Sequence, residues 1–522
     1  LPRSAWALTG AGTLTRSGLE PGARVALVVP EVAPFIQAFF AIQAAGLVPV
    51  PMVPPAQAGD LATFGRQTRQ LLAASRAAAI VTTPDVAALL DLSELSPVPQ
   101  VLTIDDLTSG PTLVAPVEAD ADASALLQFT SGSTAAPKGV VLSHRNLLTN
   151  VASIAGPHGL AVTPEDFGVS WLPLYHDMGL IGMLLTAVWA GNPAVIMSPG
   201  LFLKRPTVWL DTISRYRATV SFAPNFAYEL CLRRVKPSQI EALDLSSWRV
   251  AGCGAEPVRP DTLAAFAERF APAGFRATAF VPSYGLAEHS LAVTMARGGI
   301  VVDHVDATRL GHDSVAVPAV DGQPSVRLVA CGRPFPGHDV RIVNDDGQTV
   351  PERHVGHIIA RGPSVMSGYF ENPDATAHAL RHGWLDTGDL GYMADGTLFV
   401  CGRTKDVIIR QGRKYHPPDL ESAIADVEGL RPSGVVVFAI NRVDEADEVV
   451  AVLEARASLT SDVVVDSVRR RVRETAGLEL DRVVVTPPGT IPRTTSGKVR
   501  RAETRARLEA GTLFNGGREL SQ

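Results

Sequence analysis

The sequence predicts an α/β protein: a large, multi-layer α/β N-terminal domain followed by a smaller α+β C-terminal domain. Two observations carry this. Short apolar runs alternate with helical stretches through roughly the first 400 residues, the pattern of strands buried between layers of helices. After Gly402 the texture changes to longer strand-like runs around one strong helix. The length of 522 residues also exceeds what one core accommodates, since domains usually run to ~100–200 residues.

In order along the chain, the apolar run Val25 to Val29 leads into a helical stretch, Phe35 to Ala45, and a second run ending at Val48–Pro51. A helix followed by a strand recurs from Arg66 to Thr83 and from Pro206 to Ser221. The stretch Met178 to Leu203 is uncharged, yet its helix-like part, Met178 to Ala190, falls short of the ~20 residues a membrane span needs. Gly191-Asn192-Pro193 breaks it before a strand at Ala194 to Met197, so a buried helix and a core strand are expected, with no membrane span. Beyond Gly402, strands are expected at Gly434–Ile440, Val449–Glu454 and Arg482–Val485, with a helix from Asp462 to Thr475 carrying Arg469, Arg470 and Arg471 on its outer turns. The join near Arg403-Thr404-Lys405-Asp406 divides the chain into domains 1–403 and 405–522.

A composition of 46% hydrophobic and 19% charged residues is that of an ordinary globular enzyme. The net charge of −6 offers no general attraction to phosphate backbones, so nucleic acid is not an expected partner. Cys231, Cys253, Cys331 and Cys401 lack the paired spacing of a zinc or redox site and fit buried thiols in a reducing compartment. No basic start, apolar stretch and small-residue cleavage site open the chain, which points to a cytoplasmic location.

The stretch Leu127 to Gly139, LQFTSGSTAAPKG, runs from an apolar strand into a loop dense in hydroxyls and glycine. Small residues let backbone amides approach an anion, Thr130, Ser131, Ser133 and Thr134 add hydroxyls beside Gly132, and Lys138 supplies charge. Such a loop is built to hold phosphates. It is not the Walker loop, because Pro137-Lys138-Gly139 puts Pro and Gly where that motif has Gly and Ser or Thr.

TSGSTAAPKG resembles the phosphate loop of the adenylate-forming superfamily. Six further stretches agree in the expected order: WLPLYHDMGLIG from Trp171, GCGAEP from Gly252, YGLAE from Tyr284, DTGDLG from Asp386, GRTKD from Gly402 and PRTTSGK from Pro492. The resemblance spans about Leu19 to about Leu508 and implies the adenylate-forming synthetase fold, with ATP and Mg²⁺ as cofactors. It also implies roles. Glu288, with Thr134, would hold the Mg²⁺ that bridges ATP phosphates, a hard cation suited to carboxylate oxygen. Tyr284 and Gly285 would meet one side of the adenine, Ala255 and Glu256 the other. Asp389 and Arg403 would bind the ribose. Lys498 would enter the active site to bridge the attacking carboxylate and the α-phosphate. His176 is either a polar gate near the acyl carboxylate or a structural histidine bonded to Asp177. Lys405 would be the hinge about which the terminal domain turns.

SWLPLYHDMGLIG from Ser170, APNFAYELC from Ala223, LDLSSWRVAGCGAEPVRPDTL from Leu243 and GRTKDVIIRQGRKYHPPDLE from Gly402 resemble the fatty acyl-AMP ligase branch. The segment of about 302–330 stands where that branch carries an insertion, which restrains the terminal domain and disfavours CoA. The implied acceptor is then the phosphopantetheine thiol of an acyl carrier protein serving a polyketide or nonribosomal peptide synthase. The alternatives are CoA as acceptor, and a nucleotide-binding homologue without turnover. Trp171, Met178, Phe222, Asn225, Phe226 and Tyr228 are the expected fatty-acid pocket. Two positions depart from the family pattern: His357 replaces a usual Glu, and Leu385-Asp386-Thr387-Gly388 replaces Arg-Thr-Gly of this branch.

Overall fold

A computed structural model describes residues 5–55, 61–130, 137–410, 412–425, 427, 430–440, 447–455, 461–494 and 498–513. The first strand–helix–strand unit forms as Arg24–Val28, Val32–Ala44 and Val48–Pro51. With Ala79–Thr82 and Gln100–Thr103 its strands make a four-stranded parallel sheet, the middle strand Arg24–Val28 being almost wholly apolar as burial on both faces requires.

A second, seven-stranded sheet builds the site. Five of its strands are parallel, in the order Phe280–Gly285, Val250–Cys253, Val220–Ala223, Gly168–Ser170 and Ala194–Ile196. Ala292–Met295 and Arg333–Pro334 close the other edge antiparallel. The uncharged stretch becomes a π-helix, Met178–Leu185, continued by the α-helix Thr186–Ala190 and ended by Gly191 in the left-handed region. The strand Ala194–Ile196 follows, and among the described residues no helix is long and apolar enough to cross a membrane.

Behind this sheet lies an aromatic core in which Trp209, Tyr228, Trp248, Phe266 and Phe280 are fully buried. Edge-to-face contacts join them at centroid distances of 5.1–5.6 Å (Trp209–Tyr228, Trp209–Trp248, Tyr228–Phe266, Tyr228–Phe280). Each polar handle is satisfied: Trp209 Nε1 donates to Ser221 Oγ (2.8 Å), Trp248 Nε1 to the Val250 carbonyl (2.7 Å) and Tyr228 Oη to the Gly252 carbonyl (2.8 Å).

From Ile408 onward the chain builds its own core. The strands Leu430–Ile440, Glu448–Ala455 and Arg482–Thr486 form one sheet, against which the helices Pro417–Ala425 and Ser461–Ala476 pack apolar faces. Of the three consecutive arginines, Arg470 is exposed while Arg469 and Arg471 are half-buried. Arg501 fastens this unit to the chain entering it: its guanidinium meets Asp406 (2.7 Å) and Glu421 (2.6 Å) and donates to the Val437 carbonyl (2.9 Å).

The segment at 302–330 is a strand pair, Val302–Asp306 with Ser325–Val329, flanking the helix Ala307–Asp313. Arg327 grips Asp261 in a fork of 2.5 and 2.6 Å, and Asp303 accepts from Arg353 (3.0 Å) and Tyr392 (2.7 Å). The helix leans on the strand Arg413–Tyr415, so closely that a Cβ on Gly311 would lie 3.1 Å from the Lys414 carbonyl oxygen.

Candidate active site

Three parallel strands of the large sheet, Phe280–Gly285, Val250–Cys253 and Val220–Ala223, end on one cleft of about 2390 Å³, as strands at ligand sites in parallel sheets do. Sixteen of the residues expected in the site line it: Thr130, Lys138, His176, Met178, Phe222, Asn225, Phe226, Ala255, Glu256, Tyr284, Gly285, Glu288, Asp389, Arg403, Lys405 and Lys498. Ser131, Gly132, Ser133 and Thr134 lie outside the described residues.

At one end of the cleft, the strand Ser124–Thr130 pairs antiparallel with Lys138–Ser143, bringing Thr130 opposite Lys138. Glu288 sits on a single 3₁₀ turn, Ala287–His289, directly after the strand Phe280–Gly285. Neighbours fix that turn. Met366 N–H donates to the Glu288 carbonyl (2.9 Å), and the Asn150 side chain brackets the chain by bonding the Ala292 N–H (3.1 Å) and carbonyl (2.9 Å). Ser290 takes φ 61° and ψ −62°, a strained conformation held by its hydroxyl on the Ser364 carbonyl (2.8 Å). Tyr369 donates its hydroxyl to Glu288 Oε1 at 2.8 Å, the one bond recorded for that carboxylate among the described residues.

Elsewhere along the cleft, Tyr284 Oη donates to Asp389 Oδ2 at 2.7 Å, and Arg403 Nε lies 3.5 Å from Asp389 Oδ1. Burial pushes the Asp389 carboxyl up, while Arg403 and the Tyr284 hydroxyl pull it back. Ala255 stands in the left-handed region at φ 69°, a conformation that non-glycine residues rarely hold outside tight functional turns. The neighbouring Glu256 accepts the Phe226 N–H at 2.7 Å, capping the helix Asn225–Arg234 where its free amides and dipole favour a carboxylate.

That helix is one wall of an apolar branch. Phe222, Phe226, Met178 and Leu291 line it, and Gly182 leaves room that a Cβ, 2.8 Å from Leu291 Cδ2, would take. Trp171 and Tyr228 are corrections to the expected pocket. Trp171 stacks on Phe202 (centroids 3.9 Å, 11°) and Tyr228 faces the Gly252 carbonyl from inside the aromatic core, so neither reaches the cleft. On a helix, positions two apart point about 200° away from each other, which sends Phe226 to the cleft and Tyr228 to the sheet.

The C-terminal unit closes the cleft. The Lys498 N–H donates to Thr494 Oγ1 (3.0 Å) and its carbonyl accepts from the Thr494 N–H (2.7 Å). Its positive charge acts on His176, Asp177 and Glu256 alike. Burial, then Lys498, pushes the His176 imidazole down to about 3, leaving it neutral at physiological pH. Burial raises the Asp177 carboxyl against the pull of Lys498, and Asp177 Oδ1 bonds the Met178 N–H at 2.7 Å. Sequence reasoning missed Tyr369, Glu229, Ser433 and Arg493, all of which line the cleft. Tyr369 and Ser433 stand outside the quoted motifs, Glu229 and Arg493 lie within APNFAYELC and PRTTSGK but were given no role there, and only the fold brings the four together.

One cleft thus brings together the cation Lys138, the carboxylates Glu288 and Asp389, an apolar wall at Phe226 and the cation Lys498. Residues 5–370 match the AMP-binding enzymes. The chain belongs to that family. It is an ATP-dependent, acid-activating ligase with the adenylate-forming synthetase fold. It is 40% identical over 503 residues to a putative acyl-CoA synthetase of Caulobacter vibrioides, covering 95% of this chain and 87% of that one. It is 36% identical over 515 residues to the medium-chain-fatty-acid–[acyl-carrier-protein] ligase JamA of Moorena producens, covering 94% and 86%. A solved structure of the fatty acyl-adenylate ligases from E. coli and L. pneumophila superposes with a TM-score of 0.91 at 38% identity, covering 97% of this chain and 92% of that one.

Proposed function

We propose that the enzyme joins a fatty or related lipophilic acid to AMP and then passes the acyl group to the phosphopantetheine thiol of an acyl carrier protein. The observation that carries this is the meeting of Lys498 with the apolar branch and the Glu288 and Asp389 ends in one cleft. In the first step the carboxylate oxygen attacks the α-phosphorus of ATP, the bond to the β-phosphate oxygen breaks, and pyrophosphate leaves. Lys498 and Lys138 offset the charge that develops in this partly buried site, where fixed cations act more strongly than in water. In the second step the thiol attacks the acyl carbonyl and AMP leaves.

Mg²⁺ fits the donor set. Glu288 offers carboxylate oxygen, and among the described residues no group of three His, Cys, Asp or Glu forms a metal cage, which suits an ion held largely by nucleotide phosphates. Such an ion would neutralise charge on the phosphates when bound.

The choice of a carrier protein over CoA rests on the 302–329 unit. It is riveted to the large domain by Arg327–Asp261 and Asp303–Arg353 and leans on the strand Arg413–Tyr415 of the C-terminal unit. It would thereby limit a rotation about Lys405 that CoA transfer requires. CoA as acceptor is the second reading, favoured by the name of the Caulobacter relative. Mass spectrometry of reactions with ATP, Mg²⁺ and a fatty-acid panel decides between them. Acyl-AMP that persists with CoA but disappears onto a phosphopantetheinylated carrier supports the proposal; steady acyl-CoA formation refutes it.

A further inference from the structure

Lys138 and Glu288 are opposite charges from distant parts of the chain that flank the same end of the cleft, yet no ion pair joins them among the described residues. A direct pair would quench both groups before any nucleotide arrived. Tyr369 touches each of them. Its hydroxyl donates to Glu288 Oε1 at 2.8 Å, and the Lys138 ammonium sits 5.0 Å from its ring centroid, within the range of a cation–π contact.

The backbone around Tyr369 is fixed on three sides. The two-residue strand Gly368–Tyr369 pairs with the strand leaving the phosphate loop, Tyr369 opposite Val140. The Phe370 N–H donates to the Gly139 carbonyl at 2.7 Å, and the Tyr369 N–H to Thr376 Oγ1 at 2.9 Å. Gly368 stands at φ 149°, where a Cβ would come 2.8 Å from Thr376 Cγ2, so this close approach needs glycine. The ring is thus locked to the strand that begins with Lys138, while its hydroxyl reaches the separate turn that carries Glu288.

We propose that Tyr369 is a positioning residue for the adenylation step: a spacer that keeps Lys138 and Glu288 from pairing and aims each at its ligand. The ring face holds the lysine cation toward the phosphates, and the hydroxyl occupies Oε1 so that Oε2 is left for the metal ion. This rests on the reading of Glu288 as a metal carboxylate and Lys138 as a phosphate cation.

The two contacts are separable by chemistry. Tyr369→Phe removes the hydroxyl and keeps the ring; Tyr369→Leu removes both. The probes are Mn²⁺, followed by electron paramagnetic resonance, and α,β-methylene-ATP, followed by calorimetry with and without metal. Tyr369→Phe is expected to weaken Mn²⁺ in the complex with the analogue by about tenfold, the effect of one hydrogen bond to a charged group. Its metal-free affinity for the analogue should match wild type. Tyr369→Leu is expected to weaken metal-free analogue binding as well. Neither variant should change the fatty-acid KM. In a Glu288→Gln background, Tyr369→Phe should produce no further loss of Mn²⁺ affinity, because its effect passes through that carboxylate.

Wild-type Mn²⁺ affinity in Tyr369→Phe, together with a large loss in Glu288→Gln, would overturn the inference and leave the metal reading intact. Wild-type Mn²⁺ affinity in Glu288→Gln itself would overturn the metal reading and the inference with it. Equal loss in Tyr369→Phe and Tyr369→Leu of analogue, metal and fatty-acid binding would show a purely structural role and also overturn the inference.

Discussion

The Ser433 hydroxyl donates to Glu229 Oε1 at 3.2 Å, tying the C-terminal unit to the helix that walls the apolar branch. Arg493 donates to the Ser433 carbonyl and lines the same cleft as Lys498. Helix Asn225–Arg234 therefore meets the cleft through Phe226 and the C-terminal unit through Glu229. Ser433→Ala removes one hydrogen bond, about 0.5–1.5 kcal/mol, from the closed arrangement. ATP–pyrophosphate exchange should slow by about 2- to 10-fold, while thiol transfer from preformed acyl-AMP is unchanged. Equal slowing of both half-reactions would remove this link from the account.

Chain-length preference should respond to Gly182. A leucine there fills the space beside Leu291 that glycine leaves open. Each methylene denied burial loses about 0.8 kcal/mol, or about fourfold in affinity. Gly182→Leu should shift kcat/KM across a fatty-acid panel toward shorter acids with the ATP KM unaltered; an unshifted profile would place the alkyl chain elsewhere.

Tyr228 offers the opposite test, because it belongs to the core. Tyr228→Phe leaves the Gly252 carbonyl without its partner and should lower stability by about 1–3 kcal/mol in denaturant unfolding. Acid selectivity should not change. A changed selectivity at undiminished stability would return Tyr228 to the pocket.

Asp419 makes stability depend on pH. Burial, reinforced by Glu421, pushes its carboxyl up to about 8 from an ordinary 3.8. The folded state keeps this proton while the unfolded chain loses it, so stability contributed at low pH is lost as pH rises from about 4 to about 8. Asp419→Asn removes the titration. Its thermal midpoint relative to wild type should be higher at pH 8 than at pH 5; an equal difference at both would contradict the shift.

The motif loops were legible because each concentrates glycine, hydroxyl or charge within a few residues, as in Tyr284 to Glu288 or Gly402 to Asp406. Three strands of the first parallel sheet were legible from apolar runs, Arg24–Val28 to within one residue, whereas the fourth, Gln100–Thr103, was not read. What stayed hidden depends on direction in space. Phe226 and Tyr228 have equal claims to a pocket in the sequence, and only the helix rotation separates them. Glu256 reads as a purine neighbour, and its bond to the Phe226 N–H exists only because the end of one strand meets the start of a helix 30 residues earlier. Tyr369 lies 81 residues from Glu288, in a two-residue strand with no phosphate-loop character.

The central claim, that Lys498 brings acid and α-phosphate together, is tested most directly by separating the half-reactions in Lys498→Ala. Pyrophosphate release from ATP and fatty acid should fall by at least about 100-fold, as when a key charge-stabilising group is removed. Transfer from preformed acyl-AMP to the carrier thiol should persist. Pyrophosphate release at the wild-type rate would contradict the account.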